Sequence, residues 1–123
     1  MLLNDFYSII QTEKLSDSLF NFSIRLNAEH DIFKGHFPDN PVTPGVCMLQ
    51  IIKELSEQVL NKKLFMNQCS NVKFMALINP EINPVLNLNL EISEIDTEHF
   101  KVKNVTKFEE TMALKLVCNF KIV

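Results

Sequence analysis

A chain of 123 residues, 46% apolar and 22% charged, has the size and balance of one globular core, and residues 1–123 are expected to form a single domain. This composition excludes a disordered or low-complexity chain, and the apolar runs fall far short of the roughly 20 residues that a bilayer-spanning helix needs. A net charge of −3, with lysines scattered along the chain, excludes the electrostatic footprint of a nucleic-acid binder. No basic segment followed by an apolar stretch opens the chain at Met1, so neither a secretory leader nor a membrane anchor is expected. Cys47, Cys69 and Cys118 are an odd number, widely separated and set among apolar neighbours. That pattern fits buried thiols in a reducing compartment, so a cytoplasmic protein without metal or cofactor is expected.

Residues Phe6 to Thr12 fit a first strand or a short helix, and their pattern does not decide between them. Phe20, Phe22, Ile24 and Leu26 then alternate with Asn21, Ser23 and Arg25, the period of a half-buried strand. Both glycines, Gly35 and Gly45, and three prolines, Pro38, Pro41 and Pro44, crowd into the next segment. From Val46 to Leu60, Met48, Ile52, Leu55 and Val59 recur at helical spacing, with charged residues mainly in the second half, so the first two turns are expected to be buried nearly all round. A weaker strand is read at Val72 to Ile78 and a turn at Asn79 to Pro84. Strong alternation returns at Leu86 to Ile92 and Met112 to Ile122, with a weaker version at Phe100 to Phe108 after a turn at Ile95 to Glu98. The predicted class is α+β, one long central helix against an antiparallel sheet of five or six strands.

The crowded segment is where chemistry is expected. Three prolines fix φ and remove backbone donors, which gives a stiff, extended excursion. Gly45 stands just before the helix, where an unencumbered N–H and the positive end of the helix dipole can meet a carbonyl oxygen. His36 lies in the same frame between Gly35 and Phe37, where an imidazole can exchange protons near neutral pH. An isolated histidine beside aromatic residues is more often structural than catalytic; the surrounding pattern is what singles out His36.

The run Phe33 to Val46, FKGHFPDNPVTPGV, resembles the signature of the hotdog-fold 3-hydroxyacyl-acyl-carrier-protein dehydratases of fatty-acid synthesis, the FabZ/FabA family. The resemblance implies a helix wrapped by the sheet, two subunits joined edge to edge, and active sites formed across the dimer interface. It further implies that His36 takes the C2 proton of a 3-hydroxyacyl thioester while the Gly45 N–H steadies the carbonyl, yielding a trans-2-enoyl thioester. The family places a Glu or Asp on the helix fourteen residues after that histidine, where this chain has Gln50. An amide orients but cannot protonate a leaving hydroxyl, so reduced or partner-dependent activity is expected. Three readings stay open: His36 performs both transfers; Glu54, one turn on, substitutes from beyond direct hydrogen-bond reach; or Asp31 does so, although a solvated or turn role fits it better. Asp39, where the family usually has Gly, is compatible with the turn.

Phe33, Phe37, Val42, Val46, Leu49 and the stretch Val72 to Ile78 are the expected lining of an acyl slot. The expected partner is an acidic acyl carrier protein, met by lysine or arginine among Arg25, Lys34, Lys62, Lys63 and Lys73. A homodimer, a hexamer built from dimers, or a heterodimer with another hotdog chain is expected. Two alternatives to a dehydratase are carried: a non-catalytic acyl-binding or partner subunit, and an acyl thioesterase.

Overall fold

The computed structural model describes residues 5–35 and 41–123. Its elements are strands β1 (Tyr7–Lys14) and β2 (Leu19–Leu26), helices α1 (Asp31–Gly35) and α2 (Gly45–Leu60), and strands β3 (Leu64–Phe74), β4 (Val85–Glu94), β5 (His99–Phe108) and β6 (Thr111–Ile122). All six strands join one sheet in the order β1-β2-β4-β5-β6-β3, every pairing antiparallel. The chain therefore crosses from β2 to the far edge through α2 before the β4, β5 and β6 hairpins fill the interior.

Period-2 alternation puts Phe22, Ile24 and Leu26, Leu86, Leu88 and Leu90, and Leu114, Leu116, Cys118 and Phe120 on one buried face. Against it α2 lays Cys47, Met48, Ile51, Ile52 and Leu55, which are 0–2% exposed. Full burial of each such large apolar chain stabilises by about 1.5–3 kcal/mol, which is what holds the helix in the curl of the sheet. The helix stops at Asn61, whose left-handed backbone (φ 53°, ψ 44°) turns its N–H back to Glu57 O.

Several expectations are corrected. Of the two alternatives open for Phe6 to Thr12 the strand is found, as β1 over Tyr7–Lys14; it is exposed along nearly its whole length, so no buried face imposed a period on its sequence. The strand read at Val72 to Ile78 starts at Leu64 and ends at Phe74. Register shifts at Met66/Gln68 and Ser70/Lys73, the latter with Asn71 at φ 52°, break the alternation that would have revealed it. A short helix, α1, precedes the prolines in a stretch for which no element was expected. Cys69 and Cys118, far apart in sequence, are cross-strand partners with Sγ atoms 2.8 Å apart, and burial first, then Cys69, pushes the Cys118 thiol well above its ordinary range. Nor is the start of α2 buried all round, since Val46 is 67% exposed.

Candidate active site

Among the described residues, no side chain caps the first turn of α2. Pro44 is the N-cap, with extended backbone and no side chain bonded to the helix, and no acidic residue occupies the first turn. The first N–H to close a turn is that of Cys47, onto Pro44 O at 3.0 Å, so those of Gly45 and Val46 lie ahead of the helical ladder. Beside them opens a cleft of about 550 Å³ lined by Val42 to Val46 and Phe74 to Ile78. Its wall leaves large apolar groups in water: Val46, Phe74, Met75 and Leu77 are 47–70% exposed. The Phe74 ring lies over Gly45, where an added Cβ would stand 2.9 Å from its Cζ, the far end of that side chain, so any larger residue would have to displace the ring. Thr43 is only 6% exposed; its N–H donates to Ile78 O at 2.8 Å, while its Oγ1 is buried without a hydrogen-bond partner among the described residues. An unsatisfied buried hydroxyl costs on the order of 1–3 kcal/mol.

A second concavity, about 720 Å³ and polar, runs along the second half of α2 and is lined by Gln50, Lys53, Glu54, Glu57, Gln58 and Asn61 to Lys63. Two hydrogen bonds organise it. The Gln50 Nε2 donates to Glu54 Oε2 at 2.9 Å, and the Tyr7 hydroxyl, from β1, donates to Glu54 Oε1 at 2.9 Å. Burial, and then the Glu54 hydrogen bond, raises the Tyr7 phenol well above its ordinary value of 10.0, so it stays a donor through the neutral range. Glu57 is engaged elsewhere, its Oε2 accepting the Leu64 N–H at 2.9 Å. Gln50 stands five residues beyond Gly45, about 140° around the helix and about 7.5 Å along it, and so faces away from the apolar cleft of its own protomer. Among the described residues, no three His, Cys, Asp or Glu side chains are grouped to hold a metal ion.

Residues 11–114 match the model of the ApeI-like family, described as ApeI dehydratase. The chain belongs to this family of dehydratases. Sequence relatives include the 3-hydroxyacyl-[acyl-carrier-protein] dehydratase FabZ of Caulobacter sp. (strain K31), 29% identical over 90 residues, covering 66% of this chain and 54% of the relative. That of Lactobacillus helveticus (strain DPC 4571) is 27% identical over 105 residues, covering 80% and 68%. The chain thus spans little more than half the length of the first of these. Among solved structures, a chain of the dehydratase heterocomplex ApeI:P from Xenorhabdus doucetiae superposes with a TM-score of 0.77 at 20% identity, covering 93% of this chain and 96% of that one. A hypothetical thioesterase with coenzyme A from Streptococcus pneumoniae TIGR4 gives 0.70 at 14% identity, covering 99% and 91%. The likeness establishes the hotdog fold, and the family match makes the chain a dehydratase-like member of it.

The residues singled out in sequence are distributed unevenly over this frame. His36 and Phe37, with Asp39, lie outside the described residues, which stop at Gly35 and resume at Pro41. Val42, Gly45 and Val46 come together on the apolar cleft. Phe33 does not join them: it is 2% exposed and stacked on Phe6 with ring centroids 5.1 Å apart, because α1 turns it inward. Leu49 is half-buried against the core. Gln50 sits in the polar groove with Glu54, which the helical spacing brings into direct hydrogen-bond contact with it. Asp31 is exposed, 3.6 Å from Lys34. Lys62 and Lys63 border the polar groove, Arg25 lies with Tyr7 in another depression, and Lys73 is on β3. Sequence reading missed Thr43 and Tyr7. Tyr7 is the chain's one tyrosine, a composition signal hidden in a segment whose period was silent.

Proposed function

We propose that the chain eliminates water from a 3-hydroxyacyl thioester carried on acyl carrier protein, giving a trans-2-enoyl thioester. The observation that carries this reading is the apolar cleft opening onto the first turn of α2, where the Phe74 ring closes over Gly45. An acyl chain would fill the cleft and cover Val46, Phe74, Met75 and Leu77, while the thioester oxygen meets the Gly45 N–H and Thr43 Oγ1 lies close by as a spare donor. His36, placed by sequence nine residues before Gly45, would take the C2 proton.

Gln50 would serve the site of a second protomer, since it faces away from the cleft of its own. The β3 edge supports such an assembly, for it is unpaired in the protomer and carries exposed Phe65, Val72 and Phe74. A second copy would pair there edge to edge. A heterodimer with another hotdog chain that supplies a carboxylate is the second reading, favoured by the amide at position 50.

Turnover of a 3-hydroxyacyl thioester on carrier protein, followed by enoyl absorbance, tests the proposal. The native protein should convert it slowly and Gln50→Glu faster. Turnover only in Gln50→Glu would favour the partner-subunit reading, and release of free thiol would point to a thioesterase.

A further inference from the structure

We propose that Glu54 and Tyr7 are positioning residues that lock the Gln50 side-chain amide with its nitrogen inward, so that Gln50 meets the substrate's 3-hydroxyl as a hydrogen-bond acceptor. The inference rests on the reading of Gln50 as a substrate-facing group and says which end of its amide does the work.

The three side chains form a chain of donors and acceptors with one consistent direction. Both Glu54 oxygens are engaged, Oε1 by the Tyr7 hydroxyl and Oε2 by Gln50 Nε2, each at 2.9 Å. An ionised carboxylate only accepts, so the amide must present its nitrogen; turned over, its oxygen would face another acceptor at hydrogen-bond distance. An i,i+4 contact on an exposed helix is weak and mobile, but here the acceptor is tied to a strand 47 residues away in sequence. The half-buried phenol of Tyr7, raised by burial and by Glu54, stays protonated and keeps donating. The Glu57 carboxylate, the other acid near Tyr7, has its Oε2 engaged by the Leu64 N–H.

With one N–H of Nε2 held by Glu54, Oε1 is the acceptor end that the amide keeps available. It can take the O–H of a 3-hydroxyl and fix the direction of the C3–O bond, but it brings no proton to the departing oxygen. The elimination then balances through one base. His36 removes the C2 proton, the C2–C3 double bond forms as the C3–O bond breaks, and the imidazolium returns that same proton to the leaving oxygen as water.

Two measurements test this. In the ligand-free protein, the Gln50 side-chain NH₂ resonances, assigned by their loss in Gln50→Ala, should exchange slowly with water and become fast-exchanging in Glu54→Ala. Unchanged exchange in a folded Glu54→Ala protein overturns the proposal without reference to catalysis. Second, binding of the pantetheine thioester of a 3-hydroxy acid and of its 3-deoxy counterpart is compared in a His36→Ala background, where nothing is consumed. The hydroxylated ligand should bind about fivefold to tenfold tighter. Tyr7→Phe and Glu54→Ala should bring that ratio toward one, and Glu54→Gln, whose amide oxygen can still accept from Gln50, should retain most of it. A ratio unaffected by both Tyr7→Phe and Glu54→Ala, or equal binding of the two ligands before either change, overturns the inference alone. Failure of either ligand to bind at all overturns the functional reading and this inference with it.

Discussion

The two concavities beside α2 are opposites. The one at its first turn is apolar, and its side chains are left in water with a buried hydroxyl unpaired; the one along its second half is polar, and its side chains are already bonded to one another. An unsatisfied apolar wall gains free energy from an incoming ligand, whereas a satisfied polar set gains little and instead holds its geometry. In the proposed site the cleft would bind and the groove would orient, each serving the other across an interface between protomers.

The contrast breaks hardest at Gly45. Gly45→Val drives a branched side chain into the Phe74 ring and moves the N–H that meets the thioester, so kcat/KM should fall by about 10²–10³. Gly45→Ala should lose less, and adding Phe74→Ala should recover part of it, because the obstacle is the far end of that ring. A Gly45→Ala defect that Phe74→Ala leaves untouched would locate the cause elsewhere.

Gln50→Glu sharpens the contrast by putting chemistry into the orienting groove. Two carboxyls would meet where Gln50 and Glu54 now share a 2.9 Å hydrogen bond, and both cannot ionise, so one holds its proton toward neutral pH. A rate gain of about tenfold to hundredfold is expected at the acidic side of the profile. It should fade as pH rises through the raised value, because only the protonated form donates. A pH–rate profile with a gain that persists into the alkaline limb would contradict the shared proton.

How much of this was readable in the chain follows from what each residue packs against. Alternation at Phe20 to Leu26, Leu86 to Ile92 and Met112 to Ile122 is written in strands with one buried face, and these were recovered. Strand β1 has almost no buried face and β3 is broken by two register shifts, so neither imposed a clean period. At the site, the Pro-Gly segment announced the helix start because backbone constraints are visible as residue types. Phe33 was misplaced for the converse reason: an aromatic beside a motif reads the same whether it faces a ligand or Phe6. The tie from Tyr7 to Glu54 spans 47 residues and leaves no local pattern at all.

Smaller effects separate wall from core. Val46→Asp should leave the thermal midpoint nearly unchanged, since Val46 is 67% exposed, while weakening acyl binding about tenfold. Ile52→Ala, fully buried on the same helix, should destabilise by about 2–5 kcal/mol in a denaturant titration. Reversal of that pair would mean the cleft is filled by the protein itself.

Tyr7→Phe removes one hydrogen bond and should cost about 0.5–1.5 kcal/mol. Because folding raises the phenol above its ordinary 10.0, the native protein holds this contribution below pH 10 and loses it as the pH climbs beyond. Stability measured against alkaline pH should therefore decline less steeply in Tyr7→Phe than in the native chain.

A dehydratase site built from the cleft of one protomer and the groove of another can be checked by mixing subunits. His36→Ala should lose about 10²–10⁴ of native turnover, and Gln50→Ala about tenfold. Unfolded together and refolded as an equal mixture, the two should recover about a quarter of native activity, because half the dimers are mixed and each rebuilds one of two sites. A mixture no more active than the average of its parts, in a preparation shown to contain mixed dimers, would contradict it.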